Sequence, residues 1–218
     1  LTDVTGVQTC ALPISWQAVG LAGCVAMVPD TAFANGHAPE VTLSGAEAGL
    51  GQAGLALVKG KAYTGRVWLA GDPSVGPVEI RLVCGPGQNV RQTAAIARVT
   101  AGYSKHPLAF TAPADCPDAR LEIVGRGRGK FRVGPVSLMP ADNTQGMRRD
   151  VLEVLRQLDS PIYCWPGGNF VRGYDWRDGL GDPDRRPTRK NPARKGIAPN
   201  DFGFPEYIAF CRPDNTDP

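Results

Sequence analysis

Between residues 161 and 192 a short apolar run meets a double glycine and then a long polar loop, PIYCWPGGNFVRGYDWRDGLGDPDRRPTRKNP. Residues 162–165 are β-prone, and a strand cannot continue through Pro166-Gly167-Gly168. The loop beyond carries two aromatics, Tyr174 and Trp176. An apolar strand, a glycine stop and a decorated loop describe the C-terminal end of a barrel strand, where α/β barrels keep their chemistry.

Periodicity changes along the chain in a way that divides it. From Val41 to Leu138 short apolar runs alternate with turns, giving seven expected strands: 53–58, 62–69, 78–83, 94–99, 108–110, 121–124 and 133–138. Gly and Pro, 27 and 20 residues, supply the punctuation between them. The pattern predicts a β-sandwich or jelly roll over residues 16–138. At 146–158 the spacing turns helical, with Met147, Val151, Val154, Leu155 and Leu158 on one stripe and Asn143 or Thr144 as candidate caps. A strand at 162–165, the long loop and a helix from about Pro205 to Cys211 follow, Pro205 suiting a first helical turn. Residues 139–218 therefore read as part of a (β/α)8 barrel.

The wording of the loop resembles α-L-arabinofuranosidases of glycoside hydrolase family 51. Their second barrel strand ends in a very similar WPGGNF, here Trp165–Phe170, followed by GY.W.DG.G and RP.R.NP. VSLMPADNTQGMRRDVLEVLRQLDSP, residues 136–161, is similar to the family's entry into the barrel, and NDFGFPEY, residues 200–207, to its next helix entry. The resemblance implies hydrolysis of terminal arabinofuranosyl groups from plant polysaccharides with retention, no cofactor and no metal. Retention needs two carboxylates about 5–5.5 Å apart. In the family both are glutamates on later barrel strands, and neither they nor the family's opening substrate-binding glutamate has a counterpart here. The expectation is an internal fragment with no catalytic residue of its own. Oligomerisation is left open for a longer parent.

The same resemblance implies that Asn169 contacts the arabinofuranose, with a turn asparagine as the plain alternative. Gly167 and Gly168 let the backbone turn close to the sugar. Tyr174 and Trp176 form either a sugar-stacking wall or loop packing. Asn200 is a further candidate contact, its alternative being to brace the loop, with Asp201, against the next helix. Two positions depart from the family: Cys164 and Arg194 stand where Arg and Trp are usual.

Other signals carry less. VTGVQTCALPI, residues 4–14, reads like a translated sequencing adapter, so residues 1–15 are set aside. The competing reading is a secretory signal peptide, apolar over 11–28 with Ala32-Phe33-Ala34 as an A-x-A site, but no Lys or Arg precedes Lys59. Pro13, Gly20, Gly23 and Pro29 break that run too often for a membrane span, and the compartment stays open. Cys24, Cys84, Cys116, Cys164 and Cys211 show no zinc spacing and are expected as free thiols, with Cys84–Cys116 pairing as the alternative. Arg185, Arg186, Arg189, Lys190, Arg194 and Lys195 read as a solvated loop rather than a nucleic-acid site, and GRGRGK, residues 125–130, as a hairpin. His37 and His106 are isolated. The alternative function is a non-catalytic module, either carbohydrate-binding or structural. Only Tyr63, Trp68 and Tyr103 are available as a binding row, and Trp68 within VWLA reads as core, which favours the structural spacer.

Overall fold

The computed structural model describes residues 16–85, 90–191, 193 and 196–212. The leader 1–15 and the positions Arg194 and Lys195 lie outside the described residues. The chain forms two compact units: His37–Ala141 with the chain up to Asp30, and Thr31–Gly36 with Asp142 onward.

The first unit is a sandwich of two five-stranded antiparallel sheets. One is ordered β1 (Trp16–Gly20), β4 (Ala48–Leu57), β9 (Cys116–Gly125), β6 (Val78–Cys84) and β7 (Val90–Ile96). The other is ordered β2 (Val25–Pro29), β3 (His37–Ser44), β10 (Arg128–Pro140), β5 (Ala62–Gly71) and β8 (Ser104–Thr111). Alternation dictates the core. Val78, Ile80 and Leu82 of β6, Leu121 and Ile123 of β9, Val67 and Leu69 of β5, and Phe131 and Val133 of β10 all turn inward. Each fully buried side chain of this size contributes about 1.5–3 kcal/mol of hydrophobic stabilisation.

Ten strands replace the seven expected. Strands β1 and β2 lie in the stretch that reads as a leader, and β3 begins before the alternation was traced. Strand β4 starts at Ala48 because Gly49 is a packing requirement, not a break: a Cβ there would sit 2.0 Å from the Ile123 carbonyl oxygen. Pro135 is tolerated because β10 slips register between Val133 and Val136. The GRGRGK segment is not a hairpin, since β9 and β10 belong to different sheets and the turn crosses between them. Trp68 is not core: Val67 and Leu69 are fully buried, and the pleat puts Trp68 on the opposite face, half-buried. Tyr63 does reach the core, at 6% exposure.

Cys84 and Cys116 are bonded to each other, overturning the free-thiol expectation; Cys24, Cys164 and Cys211 are free. The bond ties the end of β6 to the start of β9 across Cα atoms 5.9 Å apart. On the outward face of the same sheet Arg81, 2% exposed, donates to Glu47 at 2.7 Å and Glu79 at 2.9 Å. Fully buried Glu122 stands beside it, 2.7 Å from the Arg120 guanidinium; its oxygens have no well-directed hydrogen bond, so that pairing is ionic.

In the second unit α1 spans Arg149–Gln157. Its expected caps are used otherwise: Thr144 and Met147 exchange backbone hydrogen bonds, and Asn143 accepts from the Gly146 N–H. The buried residue is Leu152, packed with Met147 and Leu155 against Tyr207, Phe210 and Cys211. Val151, Val154 and Leu158, expected on the buried stripe, are 44%, 58% and 66% exposed. Residues 162–165 form no strand, and among the described residues the unit's only strand pair is antiparallel, β11 (Arg189–Lys190) with β12 (Ile197–Ala198). A parallel strand needs hydrogen-bonded neighbours on both edges. Helix α2 (Phe204–Cys211) starts at Gly203, whose N–H donates to Glu206 at 2.8 Å.

Two outcomes follow from the sandwich. Changing Cys84 and Cys116 together to Ala is expected to lower stability by about 3–4 kcal/mol, the closure entropy of a loop of this length, read as a lower denaturant midpoint in equilibrium unfolding. Hydrogen bonds from Arg81, and then from Arg126, hold the Glu47 carboxyl at about 2 against burial, below its ordinary 4.5. Its contribution is therefore complete above about pH 4.5 and is lost as pH falls toward 2. Glu47→Gln should flatten that part of a stability-against-pH profile measured by urea unfolding between pH 2 and 6; an unchanged profile would contradict the pairing.

Candidate functional site

The site grows from the Trp165-Pro166-Gly167-Gly168 turn. The Trp165–Pro166 peptide is cis, and Gly168 has φ 61°, a left-handed conformation that favours glycine. The polar loop is not irregular. It winds through three short 3-10 turns, Gly168–Gly173, Trp176–Gly179 and Pro183–Arg185. Asp175 and Asp182 cap the last two, accepting from the Arg177 and Asp184 N–H groups at 3.0 Å.

Aromatic rings fix the turn from behind. Trp165 meets Tyr174 edge-on with centroids 5.2 Å apart and stacks on Tyr207 at 5.8 Å. Phe170 lies 5.0 Å from Tyr174. In front opens a cavity of about 410 Å³ lined by Trp165, Pro166, Gly167, Gly168, Asn169, Phe170, Asn191 and Ala193. Its size lies within the range for small-molecule sites, about 300–1,000 Å³. It combines an indole face with an exposed Asn169 amide and main-chain groups, which suits a polyhydroxylated ring with one C–H-rich face.

The structure thus brings Gly167, Gly168 and Asn169 together at one cavity. Tyr174 stands in the second row. Its hydroxyl is buried without a hydrogen bond, and burial first, with neighbouring carboxylates, pushes its pKa up. Trp176 is 55% exposed and lines no part of the cavity. Asn200 does not line it either: it is 6% exposed, has φ 63°, and donates to the Pro187 carbonyl at 2.6 Å, so bracing describes its contacts. Cys164 is exposed and is not a lining residue. Asn191 and Ala193 were missed, although Asn191 is the Asn of the RP.R.NP string.

The expectation of a wholly solvated basic loop fails at Arg186. This side chain is 6% exposed and donates to both Glu206 oxygens at 2.8 and 2.9 Å, to Gly181 O at 2.8 Å and to Asn200 O at 2.9 Å. It joins the loop, the Asn200 turn and α2. Arg185 donates to the Ala32 carbonyl and stacks over Phe33 at 4.7 Å, and Arg189 pairs with Asp178 at 2.7 Å. Burial pushes the Glu206 carboxyl up, but hydrogen bonds from Arg186 and from the Gly203 N–H outweigh it and leave it below the ordinary value. Among the described residues no cluster of three or more His, Cys, Asp or Glu could hold a metal ion, and no helix is long and apolar enough to cross a membrane.

Comparison with known proteins adds the following. No protein-family model matches the chain. Over 79 residues it is 43% identical to the probable alpha-L-arabinofuranosidase C of Aspergillus flavus, which is 36% of this chain and 16% of that protein. Over 72 residues it is 43% identical to the intracellular exo-alpha-(1->5)-L-arabinofuranosidase of Acetivibrio thermocellus, covering 33% of this chain and 14% of that protein. The fold of 94% of the chain superposes on 37% of an arabinose-bound GH51 α-L-arabinofuranosidase with a TM-score of 0.80 at 17% identity. The chain is thus similar to arabinofuranosidases in sequence and in fold, and it matches only a small share of their length.

Removing one member of a buried ion pair leaves an uncompensated charge, at a cost of about 3–5 kcal/mol. Glu206→Gln should therefore lower the stability of the second unit by roughly that amount, reported by the fluorescence of Trp165 and Trp176 during denaturant unfolding. A shift no larger than that of an exposed pair such as Arg149–Glu153 would contradict the staple.

Proposed function

We propose that this chain is the accessory β-sandwich and the start of the catalytic domain of an α-L-arabinofuranosidase, a retaining glycoside hydrolase that releases terminal α-L-arabinofuranosyl groups from plant polysaccharides and oligosaccharides. The observation that carries the reading is the cavity walled by the WPGGNF string itself, in a chain 43% identical to arabinofuranosidases over 79 residues. The sugar ring rests on Trp165 and the glycine turn, and Asn169 hydrogen-bonds a ring hydroxyl. Tyr174 and Phe170 hold the Trp165 indole in place. Trp176 and Asn200 act on the substrate only through the loop they belong to.

Residues 139–218 are, in this reading, the opening of a (β/α)8 barrel. The order helix, decorated loop, helix supports it, as do the outward apolar side chains Val151, Val154, Leu158 and Ile162, which a complete barrel would cover. The chemistry belongs to a pair of glutamates with no counterpart in the matched motifs. One would attack the anomeric carbon, and the other would protonate the leaving oxygen and then activate water. This chain's share of the work is binding and orientation.

Titrating the 218-residue chain with methyl α-L-arabinofuranoside is expected to shift the amide resonances of Gly167, Gly168, Asn169 and Phe170 and the Trp165 indole N–H. Asn169→Ala should weaken that binding by about 1–3 kcal/mol, roughly 5- to 150-fold, with folding intact because the side chain is exposed. Shifts scattered elsewhere, or none at these residues, would withdraw the sugar-site assignment. Turnover of an aryl arabinofuranoside by the purified chain should stay at background; persistent turnover after repurification would overturn the division of labour.

A further inference from the structure

The outward face of the second sheet carries its own recognition chemistry. On β5, Arg66, Trp68 and Ala70 alternate with the fully buried Val67 and Leu69 and so share the face turned away from the core. Lys105 of β8 stands directly across from Trp68, and Ser137 of β10 directly across from Arg66. The Lys105 ammonium lies 5.6 Å from the centre of the Trp68 ring. Beyond Ala70, Arg132 of β10 faces the same way, with its guanidinium 5.7 Å from the centre of the Tyr103 ring. Tyr103 donates its hydroxyl to Asp30 at 3.0 Å, and Arg132 donates to the same carboxylate at 2.7 Å. The face therefore presents two aromatic rings, each with a cation beside it, on neighbouring strands.

Position makes this more than a scattered surface aromatic. Strand β5 runs between β10 and β8, so both of its edges are hydrogen-bonded and its side chains are held by the sheet. A ligand meeting Trp68 orders no loop and forfeits little conformational entropy. Arg66 and Trp68 are two residues apart on one strand, about 7 Å along the pleat, a spacing of the order of one sugar ring.

We infer that this face binds an acidic glycan, a chain of hexuronate residues, with Trp68 as the stacking platform and Lys105 and Arg66 as the carboxylate contacts. The C–H face of a pyranose suits an indole, and the choice between neutral and acidic sugar follows from Lys105. Any sugar that stacks on Trp68 must share the ring with the ammonium or displace it. A neutral sugar gives the displaced ammonium nothing in return. A uronate gives it a carboxylate at the edge of the same ring, and a charge-assisted hydrogen bond replaces the cation–π contact. Arg132 and Asp30 hold Tyr103 as a second, more rigid edge to the platform. The inference does not depend on the cavity at Asn169 or on the arabinofuranosidase reading.

Affinity electrophoresis and calorimetry of the full 218-residue chain against polygalacturonate test it, at low and at 0.5 M salt. Retardation by polygalacturonate is expected, at least tenfold weaker in Trp68→Ala and weaker with a shallower salt dependence in Lys105→Gln. Both substitutions lie outside the core, so melting should stay close to that of the parent chain; should Trp68→Ala unfold, Trp68→Phe and Lys105→Gln carry the same comparison. Neutral arabinoxylan binding as tightly as polygalacturonate would overturn the acidic assignment. Equal retardation by polyphosphate would reduce the face to a general polyanion surface and also overturn it. No retardation, or retardation unchanged in both variants, removes the site.

Discussion

The guanidinium of Arg186 lies where the chain crosses itself most tightly in the site-bearing unit. It joins Gly181 in the loop, Asn200 and Asp201 in the following turn and Glu206 in the first turn of α2. A planar fork with five donors can hold several carbonyls and a carboxylate at once, which an ammonium cannot. Glu206 answers the charge and also takes the Gly203 N–H, so one carboxylate both pairs the arginine and starts the helix. Helix α2 then presents Tyr207 and Phe210, and these rings seat Trp165 and Tyr163. The cavity wall is therefore placed by an ion pair whose two members are absent from the cavity.

The sandwich solves a related problem differently. Its core needs only alternation, and the charged groups Arg81, Glu47, Glu79, Glu122 and Arg120 collect on the outward face of one sheet. There Arg81 and Glu122 are buried by their neighbours rather than by the core. Removing two charges from water is costly, and their mutual attraction recovers that only with well-directed hydrogen bonds. Glu47 has such bonds, from both Arg81 and Arg126. Glu122 does not, which leaves the disulfide and the apolar interior as the main sources of stability for this sheet.

What the sequence disclosed, and what it hid, divides along physical lines. Period-two alternation over most of residues 53–138 announces a sandwich because burial on one face of a strand requires it. The rule fails where both faces are occupied: VWLA reads as continuous core, although Trp68 covers the outside while Val67 and Leu69 fill the inside. It also fails in β4, where Gly49 and Gly51 look like breaks but permit strands to pass closely. At the site, WPGGN is legible because a turn through two glycines beside an indole has few other uses. Arg186 and Asn200 are illegible because their partners are 20 and 13 residues away along the chain. A loop arginine looks solvated until the carboxylate that meets it is placed. Helix α1 shows the same limit: its spacing marks a stripe through Val151, Val154 and Leu158, yet its packing selects Leu152, because Tyr207 and Phe210 approach from that side.

The two aromatic surfaces differ in what supports them. Trp165 depends on a loop, a helix start and a buried ion pair, so the geometry of its cavity is coupled to everything that Arg186 touches. Trp68 depends on a sheet paired on both sides, and its neighbours Lys105 and Arg66 are set by register alone. A change anywhere along residues 181–206 can therefore reach the cavity, whereas the Trp68 face responds only to substitutions on the face itself. The same contrast orders their responses to acid. Protonating Glu206 releases Arg186 and loosens the cavity wall, while Trp68 and Lys105 contain no group that titrates in that range, and the sheet beneath them stays paired.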